Sequence, residues 1–243
     1  MEIPQQKTEL TRRSVARGAA WAVPVVVASA TVPAVAASRC TTQTFSVDWS
    51  RWTRTPPSTA TPLSSDRGSM TVVGSAGGTL TISGDQTANA AILSGSQDLQ
   101  GPSSGNLPTN PSSGLKNPLM FQHLAGSTPQ RATATFTFSR PVTNLSFSIG
   151  DIDGGPGNRW SDRVSLSSGF TVTSLASGVT GSGTAASPFA PNGSTNLSYT
   201  QTTGNVTVNY ASASSFTLTF ANATGFTGAQ NIVIGPMTFT ACA

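Results

Sequence analysis

Charge is scarce in this chain. Asp, Glu, Lys and Arg make up 9% of 243 residues, no glutamate follows Glu9, and the one histidine is His123. A Ser/His/Asp triad would have to run through that histidine, and a glycosidase needs two carboxylates facing each other across a cleft. The seven acidic residues after Glu9 are all aspartates, and three of them crowd into a single stretch. These shortages point away from hydrolysis, and the expectation is that the protein is not an enzyme. Aromatic residues are sparse too, at 7%. Basic residues nowhere cluster among them, so nucleic acid is not an expected partner. No apolar stripe recurs at helical spacing either.

The formal charge of +4 overstates the basic character. Lys7, Arg12, Arg13 and Arg17 stand against Glu2 and Glu9, and residues 38–243 hold nine basic and seven acidic side chains, a net of +2. Twin arginines at Arg12-Arg13 precede an uncharged run from Gly18 to Ala37 that ends in small residues. This pattern predicts a twin-arginine-like signal peptide over 1–37. Pro24 and Pro33 interrupt the run, so cleavage is expected rather than a retained membrane anchor. The mature chain, 38–243, is expected as a single domain that is secreted or associated with the cell surface, with no membrane contact after cleavage. Cys40 and Cys242 are the two cysteines. In an exported chain they are expected to form a disulfide joining the first strand to the last, two free thiols being the alternative.

Alternation of apolar and polar residues is what the chain does have. It is clear at Phe45–Trp49, Met70–Val72, Leu80–Ile82, Ala132–Phe138, Leu145–Ile149, Val164–Leu166, Phe170–Val172, Val206–Tyr210, Phe216–Phe220 and Ile232–Phe239. Such period-2 runs, separated by Gly, Ser and Asn turns, predict an all-β fold of about 11 short strands. The expected architecture is a two-layer antiparallel β-sandwich, jelly-roll or Ig-like, with long polar loops. A turn is expected at Arg140-Pro141. Residues 85–130 are rich in Ser, Gly, Pro and Asn and predict a loop-rich insertion, with apolar islands at 91–93 and 119–124. Residues 176–195 predict a further polar loop.

The stretch from Asn144 to Leu166 carries most of the chemistry. It predicts a strand ending near Gly150, an acidic loop, and a second strand entered through Asp162. Asp151 and Asp153, two residues apart, with Asp162 form a candidate calcium site, since calcium is a hard cation that takes six to eight oxygens. The spacing resembles an EF-hand loop only at its ends, because Gly155, Pro156 and Arg159 occupy positions where ligands or a glycine belong. The alternative is a loop closed without metal, with Arg159 and Arg163 pairing with the aspartates and Asn158 capping the turn. Trp160 and Trp52 are expected to be exposed and, with Arg159, to bind a ligand such as a sugar ring. Arg51 and Arg54 lie near them in sequence. Trp49, Tyr199 and Tyr210 keep register with core positions.

RATATFTFSRPVTNLSFSIGDIDGG, the following WSDRVSL and the final NIVIGPMTF together resemble a broad group of exported β-sandwich modules. These occur in bacterial surface and adhesin-like proteins, many from high-GC Gram-positive organisms. The resemblance covers roughly residues 40 to 242 and is densest around the D-I-D loop. It implies a sandwich with a role in adhesion, carbohydrate contact or surface structure. The expected partner is a glycan or another cell-envelope component, with self-association as the alternative.

Overall fold

The computed structural model describes residues 40–55, 63–92, 99–102, 115–125, 131–197, 200–224 and 228–242. The expected signal peptide, 1–37, and Tyr199 lie outside the described residues, as do the side chains of His123 and Asn158. The strands in chain order are β1 (Thr42–Ser46), β2 (Thr53–Arg54), β3 (Leu63–Val73), β4 (Thr79–Ile92), β5 (Leu99–Gln100), β6 (Leu119–Ala125) and β7 (Arg131–Gly150). They continue with β8 (Asp162–Leu166), β9 (Phe170–Leu175), β10 (Val179–Thr180), β11 (Ala190–Pro191), β12 (Val206–Asn222) and β13 (Gly228–Cys242). Among the described residues all pairings are antiparallel; β10 and β11 form a small sheet of their own, and the other 11 strands share one sheet. No helix among the described residues is long and apolar enough to cross a membrane.

Two long strands fold this sheet into a sandwich. β7 and β12 pair from Val206↔Ile149 to Ala221↔Arg131. The first half of β7 also pairs with β4 (Ile82↔Phe138 to Ala88↔Ala132), whereas its second half pairs with β13 (Ala241↔Val142 to Val233↔Gly150). One layer is therefore β2-β3-β4-β7-β12-β8, and the other is β9-β12-β7-β13 with β6 and β1 along β13. The change of layer falls between Thr137↔Ser215 and Val142↔Ala213, where β7 has four intervening residues and β12 has one. A bulge of this kind bends a strand and raises its twist.

The turn expected at Arg140-Pro141 is thus absent, and β7 runs through it. Proline cannot donate to a ladder, but Pro141 sits just where β7 has left β4 and not yet met β13. No donor is required there. Likewise β12 joins two runs that alternation alone separates. Residues 85–130 are not simply a loop-rich insertion: β4 extends to Ile92 and so takes in the start of the first island, and the second island lies in β6. Residues 93–98, 103–114 and 126–130 of that stretch lie outside the described residues.

Inward side chains from both layers meet in one core. Phe216 lies beside the bulge and stacks on Phe136 at 5.1 Å and on Phe147 at 4.8 Å, one ring from each half of β7. Trp49 is fully buried and its Nε1 donates to the carbonyl of Gly235 at 2.8 Å. Trp52, expected at the surface, is 5% exposed and belongs to this core. Its Nε1 donates to the carbonyl of Leu99 at 2.9 Å, and its ring lies where side chains of Gly68 and Gly84 would be. Arg54 is likewise turned inward, its Nε donating to the buried carboxylate of Asp66 at 2.6 Å. Between β4 and β6, the buried Gln86 donates to the carbonyl of Gln122 at 2.9 Å.

Cys40 and Cys242 form a disulfide, and β1 pairs with β13 beside it, Thr42 opposite Cys242. Reducing that bond is expected to lower the unfolding free energy by up to about 5 kcal/mol, since the loop it closes spans about 200 residues. Denaturant unfolding with and without reductant measures this. Gly68→Ala would place a Cβ 2.5 Å from the Trp52 ring and is expected to cost about 1–3 kcal/mol in the same assay.

Candidate functional site

The chain leaves β7 at Gly150 and turns sharply at Asp151, which has a left-handed φ of +65°. The turn carries Asp151, Ile152 and Asp153 inward, and all three are buried. A 3-10 turn at Pro156–Asn158 then leads back to β8, where Asp162 is 1% exposed. Asp162 pairs with Asn222 of β12 and has the inward orientation of Val164 and Leu166 on the same strand. The strand–acidic loop–strand reading is therefore how the backbone runs, and the loop brings its three carboxylates together.

These carboxylates bind the protein itself. Asp153 accepts from Trp160 Nε1 at 2.8 Å through one oxygen and from the Leu197 amide at 2.7 Å through the other. Asp162 Oδ2 accepts the amide of Asp153 at 3.0 Å, and the amide of Asp162 donates to the carbonyl of Asp153 at 3.0 Å. Asp151 Oδ2 accepts Asn231 Nδ2 of β13 at 2.7 Å. Asp151 Oδ1 and Asp162 Oδ1 are buried and accept no hydrogen bond from the described residues. The closure by arginine–carboxylate pairs takes a different form at Arg163, whose Nη1 donates to Ser161 Oγ at 2.6 Å and to the carbonyl, not the carboxylate, of Asp162 at 2.7 Å.

Burial pushes all three acids up. For Asp151, burial followed by repulsion from Asp153 outweighs the Asn231 hydrogen bond and raises the carboxyl from 3.8 to about 8. Asp153 is raised by burial against its bonds from Trp160 and Leu197. Asp162 is raised well above the usual range by burial, with repulsion from both neighbours, against the hydrogen bond from the Asp153 amide and the attraction of Arg163. Among the described residues no three Asp, Glu, His or Cys side chains are arranged to hold a metal ion. Asp151, Asp153 and Asp162 are neighbours, and Asp153 has both oxygens occupied by protein donors.

The predicted ligand-binding residues separate. Trp52 is in the core, Trp160 is half-buried with its indole tied to Asp153, and Arg159 is exposed on the same loop. What the sequence did not single out lies on the outer face of β7, β12 and β8. There a groove of about 400 Å³ is lined by Arg131, Thr133, Arg163, Ser165 and Thr219, with Ala185 and Pro188 as a wall. Its signal is present in the alternation, because Arg131, Thr133 and Thr135 fall between the inward Ala132, Ala134 and Phe136. A second, uncharged cavity of about 250 Å³ lies beside the acidic loop, between Ser177, Asn192, Thr195 and Thr203.

The raised acids predict a direction with pH. Between about pH 4 and 8 the folded state keeps a proton on Asp151 that the unfolded chain has released, so stability is greatest at the acidic end and falls as pH rises towards 8. The slope is up to about 1.4 kcal/mol per pH unit for each such group. Asp151→Asn keeps an acceptor for Asn231 and removes the titration, so the variant is expected to show a shallower fall. Thermal unfolding of both proteins from pH 5 to 8 reads this, and parallel curves would count against a buried, protonated Asp151.

Comparison of the chain with protein-family models, with curated proteins and with solved structures found no match.

Proposed function

We propose that the protein is a secreted, non-catalytic β-sandwich that works at the cell surface by binding a ligand, in adhesion or carbohydrate contact. The observation that carries this reading is the polar outer face with its groove. Thr133 and Thr219 bond each other at 3.2 Å and Thr135 and Thr217 at 3.1 Å, and Ser83, Thr137 and Ser215 continue the hydroxyl rows by register. A face of this kind offers aligned donors and acceptors to a polyhydroxylated partner. The resemblance to exported adhesin-like modules supports the same reading.

The loop 151–162 contributes Arg159 and half-buried Trp160 to the surface, while its carboxylates fix the loop from beneath. Its ionic state is either the protonated one that burial favours or one with calcium taken by the oxygens left open on Asp151 and Asp162. Unfolding at pH 8 in millimolar calcium and in chelator separates the two. A midpoint raised by several degrees in calcium, and not in Asp151→Asn, assigns the loop to the cation; equal midpoints assign it to protons.

A second reading, a structural protein that assembles with copies of itself, has one observation behind it. Among the described residues β9 pairs on one side only, with β12, and exposes Val172 and Leu175. An unprotected edge of this kind can add another strand. The surface-binding reading predicts that the protein sediments with isolated cell envelopes or binds immobilised glycans as a monomer. Trp160→Phe, which keeps a ring but loses the bond to Asp153, separates ring contact from loop support. Self-assembly predicts instead a concentration-dependent oligomer that Val172→Lys dissolves, measured by analytical ultracentrifugation.

A further inference from the structure

The outer groove has a charge pattern that narrows its ligand. Ala221 of β12 is the register partner of Arg131 on β7 and of Arg163 on β8, so the three form one outward row, Arg–Ala–Arg. With neighbouring strands about 4.8 Å apart, the two arginines start about 9–10 Å from each other. The small alanine leaves the space between them open. The next row along the strands is Thr133, Thr219 and Ser165. Among the described residues no carboxylate lines the groove.

We infer that this groove binds the oxyanions of an acidic polyol polymer, with Arg131 and Arg163 taking successive negative groups and the hydroxyl row taking the polyol between them. The inference rests on the surface-binding reading above and names its ligand class. A guanidinium matches a carboxylate or a phosphate through two parallel N–H donors, which a point charge cannot do. Arg163 is held for this: Nη1 is engaged by Ser161 and the Asp162 carbonyl, which leaves Nε and Nη2 as donors. The Thr133–Thr219 pair shares one hydrogen bond, so one of its two hydroxyl protons remains for an incoming acceptor. The wall is fixed as well, since the Leu166 amide donates to the carbonyl of Gly183 at 2.9 Å and Phe189 and Val164 exchange backbone bonds of 2.8 and 2.9 Å. A volume of about 400 Å³ falls within the range of small-ligand clefts, about 300–1,000 Å³.

Two sources share this chemistry, a uronic-acid glycan and a polyol phosphate, and the test uses both. Binding of the full chain to polygalacturonate, to poly(glycerol phosphate) and to neutral dextran is measured by titration calorimetry at low and high salt. The expected result is binding to at least one anionic polymer, weakened by salt, and none to dextran. Arg131→Gln and Arg163→Gln are each expected to weaken it about ten-fold or more. Ala221→Phe, which keeps both arginines and fills the gap on an outward face, is expected to abolish it. Preference for one polymer identifies the source of the anion. Failure to bind either polymer, or binding unchanged in Arg131→Gln, Arg163→Gln and Ala221→Phe, overturns the inference. If those three variants still sediment with cell envelopes, the surface-binding reading survives without this groove; if the unaltered protein does not, both fall.

Discussion

The pairing of β7 with β12 is the constraint on which everything else depends. Each strand belongs to both layers, and both bend at one bulge between Thr137↔Ser215 and Val142↔Ala213. Phe216 sits at that bend and stacks on a ring from either half of β7, so the corner is filled from within as it is bent from without. Each such buried aromatic contributes roughly 1.5–3 kcal/mol of transfer free energy. The groove and the acidic loop both hang from these two strands. Arg131 and Ala221 lie near the ends of the pair in one layer, and Asp151 follows the end of β7 in the other.

Several of the few charges the chain possesses fall into two uses. Asp66, Asp151, Asp153 and Asp162 are buried and accept donors from the protein itself. Burying a charge is costly unless it is paired or neutralised, and only Asp66 has a cation in ion-pair contact among the described residues. For the acids of the loop, burial raises all three carboxyls and so favours the neutral form. With these carboxylates turned inward, no acid is among the described residues that line the groove on the outer face.

Alternation made the strands legible, and with them the sandwich and the core positions of Trp49 and Tyr210, while the disulfide followed from two cysteines in a chain expected to be exported. It could not report which strand lies beside which. Pro141 reads as a break because a missing donor normally ends a ladder; only the exchange of β4 for β13 makes it harmless. Trp52, flanked by arginines and followed by prolines, reads as exposed. The room for its ring comes from two glycines on β3 and β4, Gly68 and Gly84, visible only once β2, β3 and β4 are aligned. The same holds for the groove: Arg131 and Arg163 are far apart in sequence and meet only because Ala221 lies between them. For the acidic loop the clustering of three aspartates was plain, but their burial depends on the left-handed turn at Asp151, which no pattern announces.

The disulfide has a mechanical meaning. A pull applied at the two ends of residues 40–242 would pass directly through the Cys40–Cys242 bond, because that covalent path is shorter than any route through the sheet. The strands between them would carry almost none of the load. A sandwich clamped in this way cannot be unzipped from its ends, so a ligand held in the outer groove would feel an unstrained sheet beneath it however hard the chain was drawn.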